Sequence, residues 1–339
     1  MPNYLQWKRQ LANFAKENKF PLTVECELTT GCNFRCAMCY VHDNQPYQDL
    51  PTSEWKSFFD GAINSGALYF VLTGGEPLSR LDFWELYEYL MSKGVKITVF
   101  TNGSFINESV ATRFKKNPPE LITVTLYGYD EESTFNVTGV KNQFIKVDQG
   151  IDLLIKYNLS FILRTLPIKP IYSSLPQLIK YVQSKNQFLG YQLYIAPSKN
   201  QSSPSHLRLS SSELIKFEQM ILNAFTEYKH KECSTSAISS SCQALVTGCF
   251  ISHDGYMHPC SLADEPKAKL IPSQFLEIYQ SLQIRWNEIN KDNPCNNCHL
   301  VHECLQCPAR KQFEGGLNKC SEYLKAFAES HKGVYHGGL

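Results

Sequence analysis

The sequence has no excess of either charge sign: 33 Lys and Arg stand against 32 Asp and Glu, a formal net charge of +1. Binding to nucleic acid or to an anionic membrane surface needs a basic patch or stripe, so composition supports neither class of partner. Long apolar runs are missing as well. Residues 1–20 alternate charged and apolar positions without the uninterrupted stretch of a signal peptide or a membrane span, which leads to the expectation of a cytoplasmic protein. Internal repeats are absent, and the one biased stretch is a serine-rich linker at 231–241. What remains is an ordinary globular composition, 43% hydrophobic over 339 residues, enough for one large domain or one plus a smaller one.

Cysteine is what the chain does have, with 13 in all. Cytosolic thiols are kept reduced and an odd number leaves one over, so metal binding is a better default than disulfides. The thiols fall in three groups, Cys32 to Cys39, Cys242 to Cys260 and Cys295 to Cys307, with Cys26, Cys233 and Cys320 standing alone.

Cys32, Cys36 and Cys39 are spaced Cys-x3-Cys-x2-Cys on one short loop after a strand-like run. Three sulfurs satisfy three of the four irons of a 4Fe–4S cubane, because full protein ligation takes four cysteines. A structural zinc site, which normally takes four protein ligands, and three buried free thiols are the alternatives. The loop resembles the signature of the radical S-adenosylmethionine (SAM) enzymes. The resemblance implies a fourth iron that chelates the amino and carboxylate groups of SAM, and cleavage of SAM to a 5′-deoxyadenosyl radical that abstracts hydrogen from an unactivated carbon. Where that family usually has an aromatic residue before the third cysteine this chain has Met38, so adenine stacking is expected from Met38 or Tyr40.

From residue 21 to about 196 strand and helix patterns alternate. Strand-like runs rich in branched and aromatic residues fall at 22–28, 68–73, 96–101, 121–126, 160–166 and 191–196. Apolar spacings of three and four between them predict helices at 53–63, 82–91, 107–114, 144–157 and 175–182. Asp82 is an expected N-cap, while Gly66 and Gly94 follow helices where a left-handed cap is wanted. Ser210 is expected to cap a helix reaching about residue 228. Six β-α units imply an α/β protein with a parallel sheet and outer helices. The family resemblance makes this a partial (β/α)6 TIM-like barrel with a small cysteine-rich C-terminal domain. The expected division is a helical extension at 1–20, the barrel at 21–230 and the cysteine-bearing region at 231–339.

Chemistry in such barrels sits on the loops after the strands. The second strand ends in Thr73-Gly74-Gly75-Glu76-Pro77, where paired glycines let a small zwitterion approach the main chain. The tetrapeptide alone is a common turn. Placed after strand two it resembles the family motif that receives the SAM amino group, which implicates Gly74, Gly75 and Glu76. Asn102, in the turn after strand three, is a further candidate beside its purely structural reading. Relatives have a serine at the position of Thr125 that meets the SAM ribose. They also have an arginine in the later loop, where this chain reads Val137-Thr138-Gly139. Arg164 is the nearest charged candidate for the SAM carboxylate, with a surface ion pair as its alternative.

The C-terminal cysteines read Cys242-x6-Cys249-x5-Gly255-x4-Cys260, then Cys295-x2-Cys298-x5-Cys304-x2-Cys307-x12-Cys320. Residues 250–257 have the pattern of a β-hairpin turning at Asp254-Gly255. The array resembles the SPASM extension, which carries two auxiliary 4Fe–4S clusters. That resemblance implies a first cluster on Cys242, Cys249, Cys260 and Cys307 and a second on Cys295, Cys298, Cys304 and Cys320. Cys249 is the least secure ligand, because Cys242 alone already meets the usual distance to Gly255. Paired zinc knuckles are the alternative. Full cysteine ligation implies electron transfer.

Relatives with this extension mostly modify peptides or proteins. The sulfatase-maturing branch has a catalytic aspartate directly after the cysteine of the Gly-x4-Cys segment. Here that position is Ser261, which counts against formylglycine formation although Asp264 is near. The segments 126–128 and 137–139 look more like the maturases of ribosomally made peptides. The expected partners are a peptide or protein substrate and a reducing donor such as flavodoxin or ferredoxin; some twenty residues before the first strand are too few for a leader-binding domain, so the expectation is either a separate leader-recognition protein or direct capture by the barrel mouth. Cys26 and Cys233 are candidate hydrogen donors to a substrate radical, with a core or surface thiol as the bland reading. A small-molecule alcohol dehydrogenase and a zinc-organised binding module complete the alternatives.

Overall fold

The computed structural model describes residues 4–41, 49–196, 206–226, 242–291, 293–305, 307–314 and 316–331. Cys233 and the serine-rich linker lie outside the described residues. The chain divides into two compact units, one of Met1–Gly31, Pro46–Thr98 and Cys242–Asn293, the other of Cys32–Gln45, Val99–Ser241 and Pro294–Leu339. The region expected at 231–339 as an extension is thus shared between both.

The first unit contains α1 (Tyr4–Glu17), β1 (Thr23–Glu27), α2 (Thr52–Asn64), β2 (Tyr69–Thr73), α3 (Phe83–Ser92) and the start of β3 (Lys96–Thr101). Its later segments are β7 (Gly248–Ile251), β8 (Tyr256–His258), β9 (Ala268–Lys269) and α10 (Phe275–Lys291). Strand order in this unit is β3-β2-β1-β7-β8-β9. β1 runs parallel to β2 with Thr23 opposite Tyr69 and Glu27 opposite Thr73, and parallel to β7 with Cys26 opposite Ile251. β7 and β8 form the expected antiparallel hairpin, Phe250 opposite His258, and Gly255 turns it at φ +80°. Side chains along a strand alternate faces, so Val24 and Cys26 share one side of β1, and both are fully buried. Trp55, Phe58, Phe59 and Ala62 fall on one face of α2 at helical spacing and are buried. Phe58 and Phe59 each contribute roughly 1.5–3 kcal/mol through removal from water.

The second unit contains the end of β3, then α4 (Glu108–Lys116), β4 (Leu121–Thr125), α5 (Glu131–Thr138), α6 (Phe144–Lys156) and β5 (Phe161–Thr165). After these come α7 (Lys169–Ser173), α8 (Leu175–Ser184), β6 (Leu189–Tyr191), α9 (Ser211–Ala224), α11 (Pro308–Phe313) and α12 (Glu322–Ser330). Strand order is β6-β5-β4-β3, with Thr125 opposite Arg164 and Thr165 opposite Tyr191 in parallel register. Gly66 and Gly94 do follow their helices in positive φ, at +105° and +74°. Ser210 caps α9 reciprocally with Glu213, and the helix ends at Ala224 rather than near 228.

Three local expectations are corrected. The sixth strand lies at Leu189–Tyr191, not 191–196. Its partner β5 stops at Thr165, so no ladder remains beyond Tyr191, and the Ile195 carbonyl instead accepts hydrogen bonds from Arg208. Residues 137–139 are not loop but the end of helix α5, started by a capping box between Asp130 and Ser133 and stopped by Gly139 at φ +67°. Asp82 precedes α3 but makes no side-chain cap. Its carboxylate is held by Arg80, Nε to Oδ1 at 2.6 Å and Nη2 to Oδ2 at 2.9 Å, and by Thr52. Burial alone lifts the Asp82 pKa, but these donors more than offset it and hold the carboxyl below its usual range. Among the described residues, no helix is long and apolar enough to cross a membrane.

Candidate cofactor site

In the first unit the chain leaves β1 through Thr29-Thr30-Gly31 and leaves β2 through Gly74-Gly75-Glu76, and backbone pairing joins the two exits. Leu28 N–H donates to Thr73 O at 2.9 Å, Gly75 N–H to Thr29 O at 2.7 Å and Glu76 N–H to Gly31 O at 2.8 Å. The approach is too close for side chains, since a Cβ on Gly74 would collide with Thr29 O and one on Gly75 with Gly31 O. Gly74 also sits at φ +144°, where an L-residue is strained. Thr29 Oγ1 accepts from Gly31 N–H at 3.0 Å and stiffens the same turn. Glu76 is fully buried, and its carboxylate accepts from Leu78 N–H at 3.1 Å, capping the 3-10 turn Pro77–Ser79. The main chain of Gly74 and Gly75 therefore forms the surface of this cradle, with the Glu76 side chain bracing it from behind.

The cysteine loop belongs to the second unit and is fastened there at several points. Asn102, directly after β3, donates to Asn33 Oδ1 at 2.9 Å and towards Cys32 Sγ at 3.8 Å. Its own Oδ1 accepts from Ser104 N–H and Oγ at 2.9 and 2.7 Å, while Asn33 Nδ2 donates to Ser104 Oγ at 2.8 Å. On the far side, Arg35 N–H donates to Thr138 O at 2.8 Å and Ala37 N–H to Val137 O at 3.4 Å. Phe34 is buried edge-on against Tyr127, ring centroids 5.8 Å apart, and the Tyr127 hydroxyl hydrogen-bonds the Cys36 sulfur. Replacing Asn102 with alanine removes its bonds to Asn33 and Ser104, one side of this clamp, and costs about 1–3 kcal/mol locally. The expected result is a clear drop in iron bound per chain after reconstitution, measured by metal analysis, with the far-UV circular dichroism of the parent retained.

Burial raises the Cys36 thiol well above its ordinary pKa, and Cys39 and Cys32 add to the rise through their charges, so the three sulfurs lie within electrostatic reach of one another. Three thiolates this close repel one another, so the site becomes ionised readily only when a metal shares their charge. Among the described residues, no three His, Cys, Asp or Glu side chains converge as on a single ion. A cubane places its irons at separate corners, so three fixed thiols on one loop fit it without such convergence.

Met38 is buried and Tyr40 half-buried. Thr125 and Arg164 stand opposite each other in the β4–β5 register, and the Arg164 guanidinium lies 5.7 Å from the Phe100 ring centroid. Cys26 is buried in β1 on the same face as Cys249 of β7; each thiol is raised by burial, and Cys249 raises that of Cys26 further. Cys242 is exposed and Cys260 half-buried, both in the first unit, whereas Cys307 belongs to the second, at the N-cap of α11. Cys295, Cys298, Cys304 and Cys320 do come together: all four line one cavity of about 100 Å³. The Cys320 thiol is raised by burial first, then by Cys295 and Cys298.

Sequence reasoning missed Asn33, Ser104 and Tyr127 as loop anchors, and the helix end that supplies the Val137 and Thr138 carbonyls. Asp130-x-x-Ser133 followed by Gly139 was the available signal for that helix.

Residues 26–173 match the family model described as the Radical SAM superfamily. The chain is similar to the AdoMet-dependent heme synthase of Methanosarcina barkeri, 22% identical over 86% of this chain and 92% of that protein. Its fold is similar to that of native anSMEcpe solved with AdoMet and the Cp18Cys peptide, at TM-score 0.72 and 20% identity, covering 92% of this chain and 95% of that one. It is also similar to SuiB of Streptococcus suis bound to its precursor peptide SuiA, at TM-score 0.71 and 17% identity, covering 94% and 80%. These likenesses bear out the α/β fold of parallel strands and outer helices, on the pattern of a partial barrel followed by a cysteine-rich C-terminal region. The cysteine loop, the glycine cradle and most of the strand-helix alternation thus lie inside a matched segment, and over residues 26–173 this chain carries a domain of the Radical SAM superfamily, whose cofactors are a 4Fe–4S cluster and S-adenosylmethionine.

Proposed function

We propose that this chain is a radical SAM enzyme that modifies a peptide or protein substrate, with auxiliary 4Fe–4S clusters in its C-terminal region as electron carriers. The observation that carries the reading is the cysteine loop: Cys32, Cys36 and Cys39 are locked in place by Asn102 and the end of α5, and no fourth cysteine lies on the loop. When bound, the cluster and SAM supply a 5′-deoxyadenosyl radical for hydrogen abstraction. The chain's own residues position and shield. The main chain of Gly74 and Gly75 receives the amino group of SAM, while Thr125 and Arg164 offer a hydroxyl and a cation to the ribose and carboxylate. Phe34, buried against Tyr127, keeps water from the sulfurs.

A peptide substrate is supported by the two solved structures, which share this fold over nearly the whole chain and hold peptides. A second reading, a step of heme synthesis, is favoured by the similarity to the AdoMet-dependent heme synthase along 86% of the chain. The second auxiliary cluster is supported by the gathering of Cys295, Cys298, Cys304 and Cys320 on one cavity. A reducing donor such as flavodoxin or ferredoxin, a separate leader-recognition protein and a cytoplasmic location complete the proposal.

Anaerobic reconstitution should give about twelve irons per chain, three cubanes of four, and slow formation of 5′-deoxyadenosine under a strong reductant. Alanine at Cys32, Cys36 and Cys39 together should remove one cluster and abolish 5′-deoxyadenosine; parental rates in that variant overturn the reading. Substrate class is decided by mass spectrometry. A mass change in a short peptide encoded beside the gene supports maturation, and turnover of an iron porphyrin without peptide moves the assignment to the second reading.

A further inference from the structure

Asn102, Asn33 and Ser104 close a ring of side-chain hydrogen bonds beside the cysteine loop, all within the second unit. Ser104 Oγ donates to Asn102 Oδ1 at 2.7 Å, Asn102 Nδ2 to Asn33 Oδ1 at 2.9 Å and Asn33 Nδ2 back to Ser104 Oγ at 2.8 Å. One main-chain group sets the polarity of the whole ring. Ser104 N–H lies 2.9 Å from the Asn102 amide and can only donate, so the atom it meets is the oxygen and the NH2 group faces the other way. That NH2 has two hydrogens. One goes to Asn33 Oδ1, and the other is aimed at Cys32 Sγ, 3.8 Å away. Asn33 Oδ1 itself stands 4.0 Å from the same sulfur, where it would oppose a thiolate if Asn102 did not engage it. Phe34 N–H adds a second donor to Cys32 Sγ at 3.3 Å. Asn102 is 5% exposed, so water competes little for these bonds.

We infer that this ring tunes the iron–sulfur cluster: Asn102, together with Phe34 N–H, stabilises negative charge on the Cys32 sulfur and raises the reduction potential of the cluster that binds SAM. The inference rests on the proposal that Cys32, Cys36 and Cys39 hold that cluster, and it assigns Asn102 to the sulfur rather than to SAM. The potential of a 4Fe–4S cluster depends on its net charge, on hydrogen bonds to its sulfurs and on its exposure to solvent. Reduction adds one negative charge, shared in part by the thiolates, so a donor aimed at a sulfur favours the reduced state over the oxidised one. Without the donor the potential falls, further from the reach of a cellular reductant. Aspartate at 102 is the sharpest case. It keeps an oxygen for Ser104 N–H but turns a carboxylate oxygen toward Asn33 Oδ1 and Cys32, which gives a reason for an amide where a carboxylate has the same shape.

The test is an EPR-monitored potentiometric titration of the reconstituted full chain without SAM or substrate. The signal of the loop cluster is the one missing from the variant with alanine at Cys32, Cys36 and Cys39. Asn102→Leu should lower its midpoint, and Asn102→Asp should lower it further, by about 59 mV or more, a tenfold change in a one-electron equilibrium. Ser104→Ala loosens the ring but keeps the Ser104 N–H and the Asn102 donor, so its midpoint should stay parental. Partly loaded variants remain readable, because a midpoint does not depend on how many molecules carry a cluster. Parental midpoints in both Asn102 variants overturn the inference, and so does an equal shift in Ser104→Ala. Complete loss of the signal from both Asn102 variants also overturns it and makes the residue a scaffold of the loop. SAM binding to the oxidised protein, measured by equilibrium dialysis, should be parental in Asn102→Leu; a loss of about tenfold with an unchanged midpoint assigns Asn102 to SAM instead. If the triple alanine variant shows every signal of the parent, the loop holds no cluster, and the proposed function fails along with the inference.

Discussion

Gly75→Ala should reduce 5′-deoxyadenosine formation by on the order of a hundredfold, the loss that a displacement of about 1 Å inflicts on a positioned reactant. The added methyl group would drive into Gly31 O, Gly31 C and Thr30 O, all of them backbone atoms that cannot rotate aside. Relief requires the exits of β1 and β2 to separate, breaking the Gly75 N–H to Thr29 O and Glu76 N–H to Gly31 O hydrogen bonds. Overpacking of this kind costs about 1–3 kcal/mol, which the first unit should survive. The damage reaches function because Gly31 leads directly into Cys32, and because the glycine main chain is the proposed SAM surface. Gly94→Ala is the control: φ there is +74° but nothing lies within 4 Å, so only the left-handed strain of about 1–2 kcal/mol applies. Activity in Gly94→Ala should match the parent. A Gly75→Ala protein that cleaves SAM at the parental rate would show that the two exits need not touch.

Arg208→Met is expected to destabilise the second unit by about 3–5 kcal/mol, since it strands a buried carboxylate. The side chains of Arg208 and Glu314 are 8% and 9% exposed and meet at 2.6 Å. Arg208 also donates to Ile195 O at 3.0 and 2.6 Å, and Glu314 accepts from Tyr194 Oη at 2.8 Å and Ser321 Oγ at 3.3 Å. The Arg208 guanidinium lies 4.6 Å from the Tyr323 ring centroid, and that of Arg310 lies 4.8 Å from the Tyr194 ring centroid. This network ties the segment after β6 to α11 and to Ser321, the neighbour of Cys320. Hydrogen exchange should therefore accelerate first in α11 and α12, with the denaturation midpoint falling. The double variant Arg208→Met with Glu314→Leu removes both charges and should recover much of the loss. Equal destabilisation in single and double variants would mean that the pair contributes through its shape rather than its charge.

Five of the six strands and the helices between them follow from periodicity, because Trp55, Phe58, Phe59 and Ala62, or Val24 and Cys26, must share a buried face whatever their surroundings. The sixth strand was misplaced because a run such as 191–196 is extended only if a neighbour offers it a ladder, and β5 ends too soon. Asp82 has the chemistry of a cap, but Arg80, two residues away, competes successfully for its carboxylate. Asn102 reads as an ordinary turn residue, and only the folded chain brings it to Asn33 and Cys32.

The sequence by itself determined the ligand chemistry and its local grouping: thiols three and four residues apart, glycines where a strand ends, and a strand-helix alternation that needs no long-range information. Only the tertiary structure decided which distant groups share an environment. It seated a buried lysine on α11 beside cysteines from both sides of that helix, and it matched a lone arginine at 208 to a glutamate at 314. The reason is physical. Periodicity and spacing act over a few residues through covalent geometry, whereas the cost of burying a charge is settled only by what the completed fold places next to it.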